Sequence, residues 1–107
     1  MKKIFPKVYN DQLLICVGEN EKQIEYIVGE SVLNQDSERE KCIWKKAIRV
    51  AMLDEIEKVL QCFRAEDYSK AYDLAKEIIE TITAYDDHWF EKINELKALV
   101  EDENVKR

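Results

Sequence analysis

The single histidine, His88, directly follows Asp86 and Asp87, two carboxylates able to orient an imidazole and raise its pKa. With a thiol it would make a nucleophilic dyad. The chain offers Cys16, Cys42 and Cys62, but nothing in the sequence brings any of them to His88. A histidine beside acids at a helix start is expected to be a capping or surface residue. Asp86, Asp87 and Glu91 present oxygen ligands at i, i+1 and i+5, a weak pattern for a divalent cation. Acids at a helix start are accounted for by the macrodipole without any ion. The cysteines are odd in number and form no CxxC pair, which argues against structural zinc and for reduced, buried core thiols. There is no glycine-rich phosphate loop, no GxSxG and no HExxH. The expectation is therefore a protein that is not an enzyme and has neither metal nor cofactor.

Two groups of residues point instead to binding. Around His88 stand Tyr85, Trp89 and Phe90. A helix that buries Trp89 with Ile93 carries Phe90 about 100° round, which can leave one ring at the surface; core packing is the favoured reading of this group, an interface anchor the other. Acids surround this group: Asp86, Asp87 and Glu91, with Asp73, Glu77 and Glu80 on the helix before it. Residues 65–107 carry twelve acidic and six basic side chains, so their net charge of −6 equals that of the whole chain, and the Glu101-Asp102-Glu103 run belongs to the same excess. Such a surface attracts a basic partner and speeds its association. The second group is Arg39, Lys41, Lys45, Lys46 and Arg49, in which Lys41, Lys45 and Arg49 recur every four residues as a phosphate-contacting stripe would. The net negative charge of the chain opposes that use.

The elements that must position these residues divide sharply. Pro6, Gly18 and Gly29 are the only proline and glycines, all within the first 29 of 107 residues. Glycine and proline punctuate strands and turns and are costly inside helices. Residues 4–9 suit an edge strand, since Pro6 has no N–H to give a ladder. Asn10-Asp11 suits a tight turn, residues 12–17 an apolar strand, and 18–21 a second turn. Residues 23–28 read as a strand with Ile24, Tyr26 and Val28 on one face.

From Ser37 onward the pattern is helical. Ser37-Glu38-Arg39-Glu40 reads as a capping box. The helix it opens should run to about Arg64, yet its apolar stripe changes face. Ile43, Trp44, Ala47, Ile48 and Ala51 share one side; Met52, Leu53, Ile56, Val59, Leu60 and Phe63 share another, about 150° away. Either the helix breaks near Val50–Leu53, or one straight helix buries opposite faces at its two ends. The absence of a breaker favours the straight helix, lying between the meander and the C-terminal helices. Asp67 caps the next helix, whose stripe runs through Tyr68, Ala71, Tyr72, Ala75, Ile78, Ile79 and Ile82. Trp89, Phe90, Ile93, Leu96, Leu99 and Val100 continue it, with Asp86 or Asp87 as a fresh N-cap. A two-helix hairpin is the favoured reading. Residues 68, 75, 82, 89 and 96 keep heptad phase across the junction, so the other reading is one helix of more than 30 residues that protrudes and dimerises.

The expected fold is α+β and predominantly helical: one domain over residues 1–107, with a small antiparallel β-meander in 1–29 and about three helices in 37–104. No apolar run is long enough to span a bilayer and no secretory h-region follows Met1-Lys2-Lys3, so a cytoplasmic protein away from membranes is expected. The expected function is a non-enzymatic protein-interaction module, a small acidic inhibitor or accessory regulator of the kind found among phage and mobile-element anti-defence proteins. Its partner would be a protein, a basic or nucleic-acid-binding one in particular, with a homodimer as a further expectation. The competing reading is a small dimeric nucleic-acid-binding regulator using the Arg39–Arg49 stripe.

Overall fold

In the computed structural model, which describes residues 1–29 and 31–105 (the side chains of 100–105 excepted), a three-stranded antiparallel sheet precedes four helices. The strands are β1 (Lys3–Tyr9), β2 (Gln12–Asn20) and β3 (Gln23–Val28), in the order β1-β2-β3. Pro6 thus stands on an edge strand, opposite Ile15. Asn10 and Asp11 both take positive φ, 49° and 60°, the backbone that a two-residue hairpin of matching twist requires. The second turn is displaced from its expected place. Gly18 lies inside β2 at a register shift, and the chain turns at Glu21-Lys22, where the Asn20 side chain accepts from the backbone N–H groups of Lys22 and Gln23. A Cβ on Gly18 would stand 2.2 Å from the Gln23 carbonyl oxygen, so the glycine permits a close crossing of strands. Because of this shift, only Val28 of the expected Ile24/Tyr26/Val28 face is fully buried, and Tyr26 is exposed.

The helices are α1 (Ser37–Ala51), α2 (Leu53–Arg64), α3 (Tyr68–Asp86) and α4 (Trp89–Val105). The capping box is not used. Asp36, one residue earlier, accepts from Arg39 N–H at 2.8 Å, and Glu40 turns inward to the Lys97 ammonium at 3.0 Å. The expected straight helix from Ser37 to Arg64 is interrupted at Met52 (φ −103°, ψ 11°), whose N–H is shared between the carbonyls of Ile48 and Arg49, 3.2 Å from each. Two apolar stripes so far apart in phase cannot both face one neighbour on an unbroken helix. The bend at buried Met52 relieves that conflict without a glycine or proline.

The C-terminal part is two helices, divided at Asp87-His88, but these do not fold back on each other. The hairpin lies elsewhere: α1 and α2 form one bent arm, α3 and α4 the other, and the arms run antiparallel. Phe63 meets Tyr68 near the closed end, Arg49 meets Asp86 midway, and Glu40 meets Lys97 towards the open end. The loop between the arms is only Ala65–Asp67. It is closed by Glu66 at φ 60°, by the Asp67 N–H donated to the Cys62 carbonyl, and by the Asp67 carboxylate capping Lys70 N–H. Heptad phase persists across Asp87-His88 because both helices of that arm pack against the other arm. The molecule is accordingly elongated, 56 Å by 27 Å by 18 Å.

The core lies where the sheet packs on α1. Leu13, Ile15, Val17 and Val28 from the sheet, with Val32, pack on Ile43, Ala47, Ile48 and Ala51 of α1, and Ile93 of α4 closes the layer. Cys16 is also buried, and burial pushes its thiol pKa up. Cys42 is exposed and Cys62 half-buried, so the expectation of core thiols holds for Cys16 alone. Among the described residues, no helix is long and apolar enough to cross a membrane.

Candidate partner-binding cleft

Where the sheet edge meets the bend between α3 and α4, the molecule has a cleft of about 640 Å3. Its walls come from five elements: Ile4 and Phe5 of β1, Asn20 at the end of β2, Trp44 of α1, Tyr85 near the end of α3, and Lys92, Glu95 and Leu96 of α4. Each wall has a local cause. Alternation along β1 puts Ile4, opposite Val17, on the face that packs on the helical core, while Phe5, opposite buried Cys16, lies on the other face of the sheet and borders the cleft. Trp44 belongs to the buried stripe of α1, and its indole N–H donates to the Tyr85 carbonyl at 3.1 Å, which holds the end of α3 at a fixed height. Leu96 lies one turn beyond the buried Ile93 and is half-exposed at the cleft. The inner surface is apolar and aromatic, while the mouth carries Lys3, Lys92, Glu21 and Glu95. Lys92 and Glu95 face each other at 3.5 Å.

Lys2 stands at the same mouth and joins three elements. Its ammonium pairs with Glu25 of β3, lies 3.6 Å from Asp54 of α2, and sits 5.7 Å from the centre of the Tyr26 ring. The hydrogen bond to Glu25 raises its pKa, against an opposing desolvation, and the Asp54 charge raises it further.

The structure gathers one part of the sequence-predicted site and separates another. Tyr85 walls the cleft; Asp86, Asp87, Trp89, Phe90 and Glu91 follow around the bend. Trp89 is the half-buried ring, packed on the core, and Phe90 is 60% exposed, the two rings meeting edge to face at 5.6 Å. One ring inward and one outward is an outcome that their spacing allows. Asp86 takes a different role from the expected one, because Arg49 grips it at 3.0 and 3.3 Å. Asp73 and Glu80 are exposed along α3, and Glu77 lines a separate cavity of about 300 Å3 with Lys58 and Leu74. None of these three lines the cleft.

The Arg49–Asp86 pair joins the two groups that the sequence set apart as rival sites. It removes Arg49 from the basic stripe, whose guanidinium also donates to the Lys45 carbonyl. Lys41 and Lys45 are half-buried, and Arg39 and Lys46 are exposed. His88 Nδ1 lies 3.7 Å from a Glu91 carboxylate oxygen on an exposed turn. No hydrogen bond joins it to a cysteine among the described residues, and no three His, Cys, Asp or Glu side chains among them are placed to hold a metal ion. The Glu101-Asp102-Glu103 run and the Val100 side chain lie outside the described side chains.

Sequence reasoning missed Ile4, Phe5, Trp44 and Leu96 as site residues. Trp44 and Leu96 sat in helical stripes indistinguishable from core, and β1 carried no signal of what it would face. Comparison of the chain with protein-family models, with curated protein sequences and with solved structures found no match.

Proposed function

We propose that this protein is a non-enzymatic protein-interaction module, an inhibitor or accessory regulator that binds an apolar anchor of a basic partner protein in the cleft between β1 and α4. The observation that carries this reading is the cleft itself. It has a preformed apolar interior, lies within the usual size range of ligand sites, and is lined by residues from five separate elements. An aromatic or branched side chain inserted against Ile4, Trp44, Tyr85 and Leu96 would gain the burial that makes such anchors dominate interfaces. The exposed Phe90 extends the apolar contact around the bend. Asp87, Glu91 and Glu95, in the part of the chain that holds the whole net charge of −6, favour basic residues flanking the anchor.

The nucleic-acid reading draws less support, since Arg49 is committed to Asp86 and the remaining stripe lies beside an acidic arm. A salt-dependent mobility shift abolished by Lys45→Glu with Arg49→Glu would reverse that ranking.

Panning a displayed random-peptide library on the purified chain tests the cleft. Enriched peptides should share an aromatic or branched anchor flanked by Lys or Arg. Leu96→Glu, at an unchanged melting temperature, should weaken them at least about tenfold, as removal of an interface hot spot does. Failure to enrich any sequence, or binding indifferent to Leu96→Glu, would sink the reading.

A further inference from the structure

The end of the rod farthest from the sheet has an unpartnered apolar face. Leu53, Leu60 and Phe63 of α2 are exposed along one side of that helix, and Tyr68, Tyr72 and Ile79 of α3 along one side of the other. Spacings of three, four and seven residues align each trio on its helix. Phe63 and Tyr68, with ring centres 5.9 Å apart, join the two trios at the loop. The opposite side of this hairpin is mixed, lined by Lys58, Glu55, Glu77 and Thr81 together with Met1, Met52, Leu74 and Ile78. One side of the hairpin is therefore apolar and uncovered, while the other carries charged groups and is partly covered by Met1, whose ammonium pairs with Glu55.

We infer that the occupant of this face is a second copy of the chain, the two α2–α3 hairpins packing across a twofold axis as a four-helix bundle. Area is the first argument. The six side chains are 41 to 68% exposed. At roughly 200 Å2 for each large side chain they leave on the order of 600–700 Å2 uncovered, close to the ~800 Å2 that each partner contributes to a standard interface. Charge is the second. The edges of the face carry both signs: Glu57 and Arg64, 3.5 Å apart, flank Leu60, and Lys76 stands between Tyr72 and Ile79. A twofold axis brings each edge against its like, and an edge of mixed sign tolerates that, as the acid-rich surface around Asp87 and Glu91 would not. Geometry is the third. α2 is twelve residues long, about 18 Å, and the facing turns of α3 match it, so two hairpins complete a short bundle with no further element.

Sedimentation equilibrium of the full chain, with far-UV circular dichroism as the check on folding, decides the matter. The wild type should sediment at twice 12.7 kDa between about 1 and 100 µM, a range that spans ordinary self-association constants. Tyr72→Glu with Ile79→Glu should weaken the dimer at least about 100-fold, because symmetry places each charge in the interface twice. Phe90→Glu, outside the face, should leave it unchanged. If the charged pair costs helicity, Tyr68→Ser with Tyr72→Ser reads the same interface through milder changes. A wild type at 12.7 kDa throughout, or a dimer that survives these face variants, overturns the inference. Peptide binding in the cleft, measured on the monomeric variant, is a separate readout, so the two readings can fail independently.

Discussion

Helices α1 and α2 are consecutive, similar in length and both striped with apolar residues, yet α1 buries six of its fifteen residues and α2 buries none of its twelve. The difference lies in what each one meets. α1 has the sheet on one side and α4 with the end of α3 on the other, so Ile43, Trp44, Ala47, Ile48 and Ala51 are all covered. Among the described residues α2 packs mainly on α3, with only Met1 and Lys2 reaching its first turn, and two helices cannot cover an apolar stripe wider than their mutual contact. Amphipathicity thus tells that a face seeks a partner, and only topology tells whether the chain itself supplies one. The sheet-proximal half is a stable frame that shapes the cleft. The distal hairpin leaves an apolar face uncovered.

The sharpest way to break this contrast is a pair of truncations. Ile48→Ala empties a fully buried site between sheet and helices and should cost about 2–5 kcal/mol in urea unfolding. Leu60→Ala, at a protein concentration low enough for monomer, should stay within about 0.5 kcal/mol, as surface substitutions do. If the hairpin face is covered by a second copy, the cost of Leu60→Ala grows with protein concentration while that of Ile48→Ala does not. Equal costs at all concentrations would erase the distinction between the two halves.

The contrast also explains what could be read from the sequence. The confinement of glycine and proline to the first 29 residues located the sheet, and the αL-tolerant Asn10-Asp11 pair located its first turn. The phase change between Ala51 and Met52 was visible, but without a breaker residue the break itself was not. Met52 bends by sharing one N–H between two carbonyls, an arrangement that tertiary packing imposes and no residue type announces. Glu40 shows the same limit. Its position three residues after Ser37 fits a capping box, yet a lysine 57 residues away gives it a better partner than the helix end does. Of the candidate site, the acid–aromatic run Tyr85–Glu91 was legible because those residues are neighbours in the chain. The cleft was not, because Phe5, Trp44 and Leu96 converge only through long-range contacts. The exposed stripes of α2 and α3 read as ordinary core for the reason given above: a buried stripe and an uncovered one have the same spacing.

A smaller effect sharpens the role of α4 in the frame. Glu40 is largely buried and its carboxylate meets the Lys97 ammonium, which latches α4 to the start of α1. Lys97→Met leaves that carboxylate without its partner and should cost about 1–3 kcal/mol. Adding Glu40→Met should recover most of the loss, since two apolar groups remove the stranded charge. A double-mutant cycle by urea unfolding measures the coupling. A coupling indistinguishable from zero would mean that α4 is held by Ile93 and its neighbours alone.

The smallest expected effect probes the seam between the halves. Lys2 ties β1 to Glu25 of β3 and to Asp54, one residue into α2, and its backbone N–H donates to the Ala51 carbonyl just before the bend. Just before β1, it reaches α2 by charge next to the N-terminal ammonium, which pairs with Glu55, so it should steady the bend rather than the core. Lys2→Met keeps the backbone bond and removes the ammonium, and it should lower the melting temperature slightly at neutral pH. The sign of the pH dependence follows from the raised pKa of Lys2. A lysine whose folded pKa exceeds its ordinary 10.5 contributes its full stabilisation below that value and loses it as the pH rises through the folded pKa. The gap between wild type and Lys2→Met should therefore hold steady from neutral pH into the mildly alkaline range and close above 10.5. Because its partners Glu25 and Asp54 are exposed, raising the salt concentration at neutral pH should narrow the gap as well. A gap that survives both treatments would belong to the apolar stem of Lys2 packed at the cleft mouth, and would move the seam from electrostatics to packing.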